Sequence, residues 1–230
     1  MPRIVKEEDY AARRNEIVAV ARQLVYTKGY HQMSIQDILD ALKISKGAFY
    51  HYFDSKQALL DGLVEQMLAE ADQVMTPILE SKDVSALEKM KRYFDTGVRW
   101  KTDQKTFLIN LMRVWYDDAN SLLRHKQEAA IVKHFAPKLA AIIRQGIAEG
   151  SFSTKYPDQF ADTMLGLSRG MEDKIVGLLL TDKPPLDALE QLEATVGAYY
   201  ESLERILGAP IGSLSTGSID LLKEWFVPSS

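Results

Sequence analysis

Apolar residues recur at spacings of three and four along nearly the whole chain, and no stretch keeps the alternation of a β-strand. Such a repeat places apolar side chains on one face of an α-helix, so the fold class is expected to be all-α. Gly29 and Gly150 stand at expected helix ends. Prolines 184 and 185 are expected to open a helix, and Pro137 to kink or break one. The helical patterns lie at 17–25, 35–42, 59–71, 90–98, 107–115, 121–149, 160–178 and 189–206.

Composition narrows the class of protein. Apolar residues make up 46% and charged residues 26% of the 230, as in soluble globular proteins. The chain has no cysteine, which excludes a disulfide scaffold and thiolate metal sites and fits a reducing cytoplasm. The first ten residues lack the apolar stretch of a signal peptide, and the longest aliphatic run, 175–180, is too short to cross a bilayer. We therefore expect a cytoplasmic protein with no membrane partner.

Three short helical segments come close together near the N-terminus. Ser34 can cap the second, with Asp37 completing a capping box, and Ser45 can cap a third that runs to about Phe53. Only a tight turn at residues 42–44 separates these two helices, which is the spacing of a helix-turn-helix. Asp54 or Ser55 can then cap a long fourth helix.

Four aromatic rings crowd the third segment, SKGAFYHYF, residues 45–53. A helix this short is marginal in water and needs support from a core. Phe49 and Phe53 are four residues apart, so they share a helix face and are expected to pack inward. The remaining aromatic side chains, Tyr50, His51 and Tyr52, cannot all join them and are expected to be left at a surface.

The same segment has the chemistry to bind DNA. A helix of this kind reads base edges with its N-terminal residues, and Gly47 in the first turn lets the backbone come close. The amide groups of Ser45 and Lys46 present positive partial charge there, and Lys46 can donate to O6 and N7 of guanine. The side chains suited to phosphate are those of Tyr50, His51 and Lys56.

At these residues the sequence resembles a known family. SIQDILDALKISKGAFYHYFDSKQALL, residues 34–60, is similar to the DNA-binding signature of TetR-type transcriptional regulators. GIAEGSF, residues 146–152, matches a weaker local pattern of the same family. The resemblance implies a three-helix helix-turn-helix head joined to a larger helical domain. That domain would dimerise through its last two long helices and hold a small-molecule pocket.

The resemblance also implies which residues meet DNA. Bases would be contacted from Gln36, Lys46 and Gly47. Phosphates would be contacted from Ser45, Tyr50, His51, Tyr52 and Lys56, and Ser34 and Ala48 complete the expected DNA-binding set. Lys43 and Ile44 stand where the family often has Gly-Val, and a lysine with left-handed φ at this turn would cost about 1 kcal/mol relative to glycine.

The chain is expected to divide into three parts. Residues 1–55 would form the helix-turn-helix domain, 56–208 the ligand-binding and dimerisation domain, and 209–230 a Gly/Ser linker with a short amphipathic segment. Trp225 and Phe226 are too apolar to stay exposed to solvent, so we expect the tail to dock on the larger helical domain. A disordered end is the alternative. Arg3 and Lys6 are either a minor-groove arm or part of a frayed terminus.

A ligand pocket is expected in the larger helical domain, lined by large apolar and aromatic side chains. Ordinary core packing of each is the alternative reading. The candidate lining residues are Trp100, Phe107, Leu111, Trp115, Tyr116, His134 and Met171.

Charged residues interrupt the apolar helix at 160–178. Arg169, Glu172 and Asp173 would face a ligand or form ion pairs across a dimer interface. Glycines at 166, 170 and 177 in the same helix leave room for close helix approach and favour the interface.

An enzyme is not expected. Asp117 and Asp118, and likewise Glu172 and Asp173, are adjacent, so their side chains diverge on a helix. The four histidines lack metal-ligand spacing, and neither a phosphate-cradling glycine loop nor an activated nucleophile motif occurs. No cofactor is expected either.

The sequence therefore predicts a homodimeric repressor that binds double-stranded operator DNA and is released by a small apolar or aromatic effector. The alternative is a TetR-like DNA-binding protein without a small-molecule inducer, which acts through a protein partner or architecturally. A real cavity in the larger domain would distinguish the two.

Overall fold

A computed structural model describes the backbone at residues 2–181, 185–215, 217 and 219–226, and side chains at the same positions except 2–6, 119, 122 and 123. These residues form α-helices and short 3-10 turns without a β-strand, so the all-α prediction is confirmed. The helices are α1 (Pro2–Lys28), α2 (Ile35–Leu42), α3 (Lys46–Tyr50), α4 (Lys56–Leu79), α5 (Ala86–Asp103), α6 (Lys105–Trp115), α7 (Ser121–Glu149), α8 (Pro157–Leu179), α9 (Ala188–Leu207) and α10 (Ile219–Lys223).

The chain divides into two compact units. The first is Met1–Glu70 with Thr106–Leu123, and the second is Ala71–Lys105 with Arg124–Ser230. The functional boundaries predicted near residues 55 and 208 stay predictions. No helix among the described residues is both long and apolar enough to span a membrane.

The first unit has a core of its own, built on α1, α2, α3, the start of α4 and α6. Asn110 of α6 donates a side-chain hydrogen bond to the carbonyl of Val25 on α1 (3.2 Å). The buried side chains include Ile17, Val18, Val25, Met33, Ile38, Phe49, Phe53, Leu59, Leu60, Leu63, Phe107, Leu108 and Leu111.

The second unit is built around α5, α7, α8 and α9. Its core includes Met90, Leu139, Ile143, Phe160, Met164, Leu192 and Leu203. The GIAEGSF pattern has a packing reason, because a Cβ on Gly146 would lie 2.0 Å from the Phe152 ring. Gly150 takes φ of +76°, and the amides of Ser151 and Phe152 donate to the Gly146 carbonyl. The glycines thus let the chain turn tightly and bury Phe152.

Two helix limits differ from the sequence prediction. α3 ends at Tyr50 rather than near Phe53, because the amides of Tyr52 and Phe53 both donate to the Phe49 carbonyl and close a turn. α7, by contrast, covers the predicted residues 121–149 as one helix that continues through Pro137. α9 begins at Ala188, after a turn in which its amide donates to the Pro185 carbonyl. Pro184 lies outside the described residues, as do the side chains of Arg3 and Lys6.

The tail is docked on the second unit, as predicted. Trp225 is 7% exposed, and its indole donates to Thr102 Oγ1 (3.0 Å) at the end of α5. The buried Glu204 carboxylate accepts the amides of Gly212 (2.8 Å) and Leu214 (2.7 Å), which fixes the connection that leads into the tail. A carboxylate that accepts two amides while nearly excluded from water is a strong anchor.

Candidate nucleic-acid interface

The entry to α2 is fixed by a reciprocal cap. Ser34 Oγ accepts the amide of Asp37 (3.1 Å), and the Ser34 amide donates to Asp37 Oδ2 (2.7 Å). Lys28 lies 2.6 Å from the same carboxylate oxygen. The hydrogen bond from Lys28, followed by those from Ser34, holds the pKa of Asp37 well below its ordinary value. The predicted capping box is therefore confirmed, with a cation from α1 added to it.

The turn between α2 and α3 uses a left-handed lysine. Lys43 has φ 53° and ψ 44°, and its amide donates to the Leu39 carbonyl. Ile44 donates to the same carbonyl (3.1 Å). The left-handed φ expected for this lysine is therefore confirmed, and the turn keeps its hydrogen bonds.

Capping also fixes the start of α3 and of α4. Ser45 Oγ accepts the amide of Ala48 (3.1 Å), and Ser55, rather than Asp54, accepts the amide of Ala58 (3.0 Å). Ser45, Lys46 and Gly47 at the start of α3 are all exposed. The N-terminal turn of α3 therefore stands open for an approaching partner.

The aromatic side chains of this segment divide as predicted into core and surface. Phe49 is 0% and Phe53 2% exposed, whereas Tyr50 is 40% exposed and His51 is exposed as well. Tyr52 is half-buried. The Lys46 ammonium lies 5.9 Å from the centre of the Tyr50 ring, within cation–π range.

Lys56, the first residue of α4, contacts Tyr30 and His31 in the connection between α1 and α2. Its ammonium is 4.4 Å from the Tyr30 ring centre and 3.4 Å from the His31 carbonyl, and Tyr30 Oη donates to the Lys56 carbonyl (2.9 Å). Partial burial lowers the pKa of Lys56. Burial, and then the negative charge of Asp61, raises the pKa of Tyr30 to about 12. Tyr30 thus stays neutral, and it contacts Lys56 through both its ring and its hydroxyl group.

All ten predicted DNA-binding residues lie in the first unit. Gln36 is exposed and donates to Asp40 Oδ1 (2.7 Å) one turn later, so it must exchange this hydrogen bond to reach a base. Ala48, Tyr52 and Lys56 are half-buried. The exposed members are Ser34, Gln36, Ser45, Lys46, Gly47, Tyr50 and His51. Their contact with DNA stays a prediction.

Sequence reasoning missed Tyr10 and Tyr30. Tyr10 of α1 packs its ring 4.8 Å from Tyr52 and 5.6 Å from His51, measured between ring centres. One signal could have found it: Tyr10 precedes Ile17 by seven residues and Arg14 by four, so it shares their helix face. The Arg14 guanidinium in turn lies 5.0 Å from the Phe53 ring centre.

The predicted pocket residues fall in both units. Phe107 and Leu111 are each 3% exposed in the core of the first unit, with Arg22 lying 4.8 Å from the Phe107 ring, and Trp115 and Tyr116 belong to the same unit. Trp100, His134 and Met171 lie in the second. His134 is exposed, lies 2.7 Å from Asp72, and packs edge-on against the Phe135 ring (4.9 Å between ring centres).

The charged residues of α8 pair within the chain. Arg169 lies 2.6 Å from Glu128 of α7, and Glu172 pairs with Lys101 of α5. Gly166, Gly170 and Gly177 are exposed, and no atom lies within 4 Å of where a Cβ would stand on any of them. In the part of the chain with described side chains, no group of three His, Asp or Glu could hold a metal ion.

Two family models match the chain. Bacterial regulatory proteins, tetR family, matches residues 17–63, and Tetracyclin repressor-like, C-terminal domain, matches residues 112–177. The chain belongs to the TetR family. The resemblance drawn from residues 34–60 is therefore confirmed. Because TetR-family proteins are transcriptional regulators that bind DNA, this chain is a transcriptional regulator and not an enzyme.

Curated relatives of this TetR-family chain include named repressors. The chain is 23% identical over 158 residues to the HTH-type transcriptional repressor DhaR of Mycobacterium sp. (strain GP1), a match that covers 68% of this chain and 79% of DhaR. It is 30% identical over 81 residues to the HTH-type transcriptional repressor NemR of Escherichia coli (strain K12), covering 35% of this chain and 41% of NemR. The match to NemR thus spans less than half of that relative's length.

Solved structures of transcriptional regulators share the fold. A regulator from Pectobacterium atrosepticum superimposes with a TM-score of 0.62 at 20% identity, covering 88% of this chain and 98% of that one. A transcriptional regulator from Cytophaga hutchinsonii gives 0.61 at 19% identity, covering 91% and 96%. At 19–20% identity, this likeness shows the fold alone.

Proposed function

We propose that this TetR-family regulator is a cytoplasmic homodimeric repressor that binds a pseudo-palindromic operator and is released by a small apolar or aromatic effector. The observation that carries the DNA-binding part is the division of α3 into two faces. Phe49 is fully buried while Lys46, Gly47, Tyr50 and His51 are exposed next to it. The first face anchors the helix and the second is left for the operator.

Base readout would come from the first turn of α3. Lys46 is exposed and can donate to guanine, and Gly47 allows the backbone to approach the groove. Gln36 of α2 is the third base-contact candidate. The phosphate contacts would come from Ser45, Tyr50, His51, Tyr52 and Lys56.

Dimerisation would use α8 and α9, which pack against each other within the second unit. Their exposed positions combine glycine with apolar side chains, and such a face can approach a second copy closely. An isologous interface through this face would give the two-fold symmetry that a palindromic operator requires. The exposed members are Gly166, Leu167, Gly170 and Gly177 of α8 and Leu189, Gly197 and Ile206 of α9.

The effector would bind in the second unit, where partly exposed aromatic and methionine side chains suit an apolar ligand. Trp100 and Met171 are half-buried, and Tyr93 and Phe94 pack partly exposed against the core. Helix α4 offers a route to the DNA, because residues 56–70 belong to the first unit and residues 71–79 to the second. An effector that prefers a different setting of α4 would shift the population away from the DNA-binding state.

Selection from random-sequence duplexes tests the DNA-binding proposal. We expect enrichment of an inverted repeat, with affinity that falls as salt rises because phosphate contacts release counterions. Lys46→Ala should weaken binding, and Lys133→Ala, an exposed lysine of α7, is the matched control. No enriched motif with folded wild-type protein would exclude the proposal.

A compound screen on the selected operator tests the effector part. A true effector must lower operator affinity, and operator DNA must lower effector affinity by the same factor, typically ~5- to 150-fold. Tryptophan emission gives a direct binding signal because Trp100 lies in the proposed region. A compound that binds tightly without changing operator affinity would show that the binding site exists but does not control DNA binding. Failure of every compound, with operator binding intact, would favour a regulator without an inducer.

A further inference from the structure

Three aromatic side chains meet where α3 ends. The Tyr10 ring of α1 lies 4.8 Å from Tyr52 and 5.6 Å from His51, and the rings of His51 and Tyr52 lie 5.0 Å apart. All three distances fall in the range that aromatic pairs prefer. His51 and Tyr52 follow the last helical residue, so their side chains need support from outside α3.

The cluster lies at the surface rather than in the core. Tyr10 is 39% exposed and His51 is exposed, whereas the core ring of the same segment, Phe49, is 0% exposed. A cluster that buries so little of its surface contributes modestly to folding. Its effect is to order side chains that would otherwise sample several rotamers.

We propose that the ring of Tyr10 positions His51 and Tyr52 for contact with operator phosphates. This inference rests on the proposed function, which places both residues at the DNA backbone. Tyr10 is then a positioning residue contributed by α1, outside the helix-turn-helix. A preordered pair binds without the entropy cost of fixing two side chains on association.

The ring carries this role, and the hydroxyl does not. Tyr10 Oη is 3.5 Å from the His51 carbonyl, at the long limit for a hydrogen bond. The neighbouring arginines of α1 are engaged elsewhere, Arg13 with Glu16 and Arg14 with Glu65 (2.7 Å). Phenylalanine at position 10 should therefore keep the function, and alanine should lose it.

The test compares Tyr10→Phe and Tyr10→Ala on the selected operator. Tyr10→Phe should bind like wild type. Tyr10→Ala should bind roughly 30-fold more weakly or worse, the cost of ordering two further side chains in each of two protomers. Because phosphates carry no sequence information, the loss should be the same for scrambled duplexes. Tyr26→Ala, on the same helix about 24 Å away, is the matched control.

A double-mutant cycle separates positioning from general stability. In a His51→Ala/Tyr52→Ala background, Tyr10→Ala should have no further effect on DNA affinity, since the groups that it positions are gone. Circular dichroism and thermal unfolding must show each variant folded. A Tyr10→Ala chain that unfolds, or that loses the same affinity in both backgrounds, would overturn the inference.

The remaining outcomes are also decisive. If Tyr10→Phe lost as much affinity as Tyr10→Ala, the hydroxyl would be the active group and ring positioning would be wrong. If wild type bound the operator and Tyr10→Ala bound equally well, the inference alone would fall. If folded wild type selected no DNA, the proposed function would fall first and the inference with it.

Discussion

The Phe53 ring in the head of this regulator lies where a side chain at Gly62 would have to stand. A Cβ built on Gly62 would lie 2.9 Å from Cε1 of the Phe53 ring and 3.4 Å from an Arg14 guanidinium nitrogen. Phe53 is 2% exposed, and its ring centre lies 6.0 Å from that of Phe49. The ring therefore has little room to retreat from a larger side chain.

Gly62→Ala should destabilise the first unit although it replaces glycine within a helix. Alanine would gain up to ~1 kcal/mol of helix propensity, but overpacking against a buried ring typically costs ~1–3 kcal/mol. We expect a net loss of stability in thermal or urea unfolding. Gly97→Ala on α5 is the control, because the nearest atom to its Cβ position is the Met75 methyl carbon at 3.5 Å, an ordinary contact distance. A more stable Gly62→Ala protein would show that Phe53 can move.

Gly47→Ala should show the opposite pattern. The nearest atom to a Cβ at Gly47 is Ser45 Oγ at 3.9 Å, so the folded protein has room for alanine, which could add up to ~1 kcal/mol of helix stability. We expect a protein at least as stable as wild type that binds the operator more weakly, because the added methyl group would face the groove in the proposed complex. Unchanged operator affinity would remove Gly47 from the interface.

Lys46→Ala and Tyr50→Ala should differ in kind. Loss of a base contact should cost about 1–3 kcal/mol and relax preference at one operator position. Loss of a phosphate contact from Tyr50 should weaken binding to all sequences alike. Binding to a panel of single-base operator variants distinguishes the two profiles. Identical profiles for the two variants would contradict the assignment.

Phe49→Ala should act on folding instead of on readout. Because Phe49 is fully buried, its truncation should cost about 3–5 kcal/mol and unfold the head. Chemical denaturation followed by circular dichroism measures this. A stable, folded Phe49→Ala protein would show that the ring is not part of the core.

Trp225→Ala should weaken docking of the tail. The indole is 7% exposed and donates to Thr102, so the substitution should cost about 3–5 kcal/mol of local stability. Limited proteolysis should cut the tail of the variant sooner than that of wild type. Thr102→Val, which removes the acceptor of the indole together with the hydroxyl's own hydrogen bond to the Val98 carbonyl but leaves the indole in place, should give a smaller effect. Rapid cleavage of the wild-type tail without loss of thermal stability would contradict docking.

Asp72 should make the second unit sensitive to acid. Its carboxylate accepts hydrogen bonds from Lys138 (2.8 Å), His134 (2.7 Å) and Thr76 (2.7 Å), and these hold its pKa below the ordinary 3.8. A depressed folded pKa contributes stability that is present above 3.8 and is lost as pH falls toward the folded value. Asp72→Asn should therefore lower the free energy of unfolding at neutral pH.

The difference between Asp72→Asn and wild type should shrink below about pH 4, because protonation removes the same charge from the wild-type residue. Urea unfolding at a series of pH values measures it. Asp162→Asn, an exposed carboxylate of α8, is the control. A difference that stayed constant down to pH 2 would mean that the charge of Asp72 does not contribute.

Local chemistry could be predicted from the sequence. The caps at Ser34 and Ser45 act within three residues, and the burial of Phe49 and Phe53 follows from their spacing of four. Helix ends were less predictable. The turn that closes α3 early uses the Phe49 carbonyl, which a longer helix would also have used. Pro137 is tolerated within α7 for a different reason. Proline costs a helix interior about 3 kcal/mol, which is small beside the packing of a whole helix.

The sequence by itself determined the helices, their caps and the face of α3 that is exposed, since these depend on residues a few positions apart. Only the tertiary structure decided the contacts between distant positions: Tyr10 with Tyr52, Gly62 with Phe53, and Trp225 with Thr102. It also placed Phe107 and Trp100 in different units, although both were expected to line one pocket. Periodicity records which side chains turn inward, but the partner that each one meets is set by how whole helices pack.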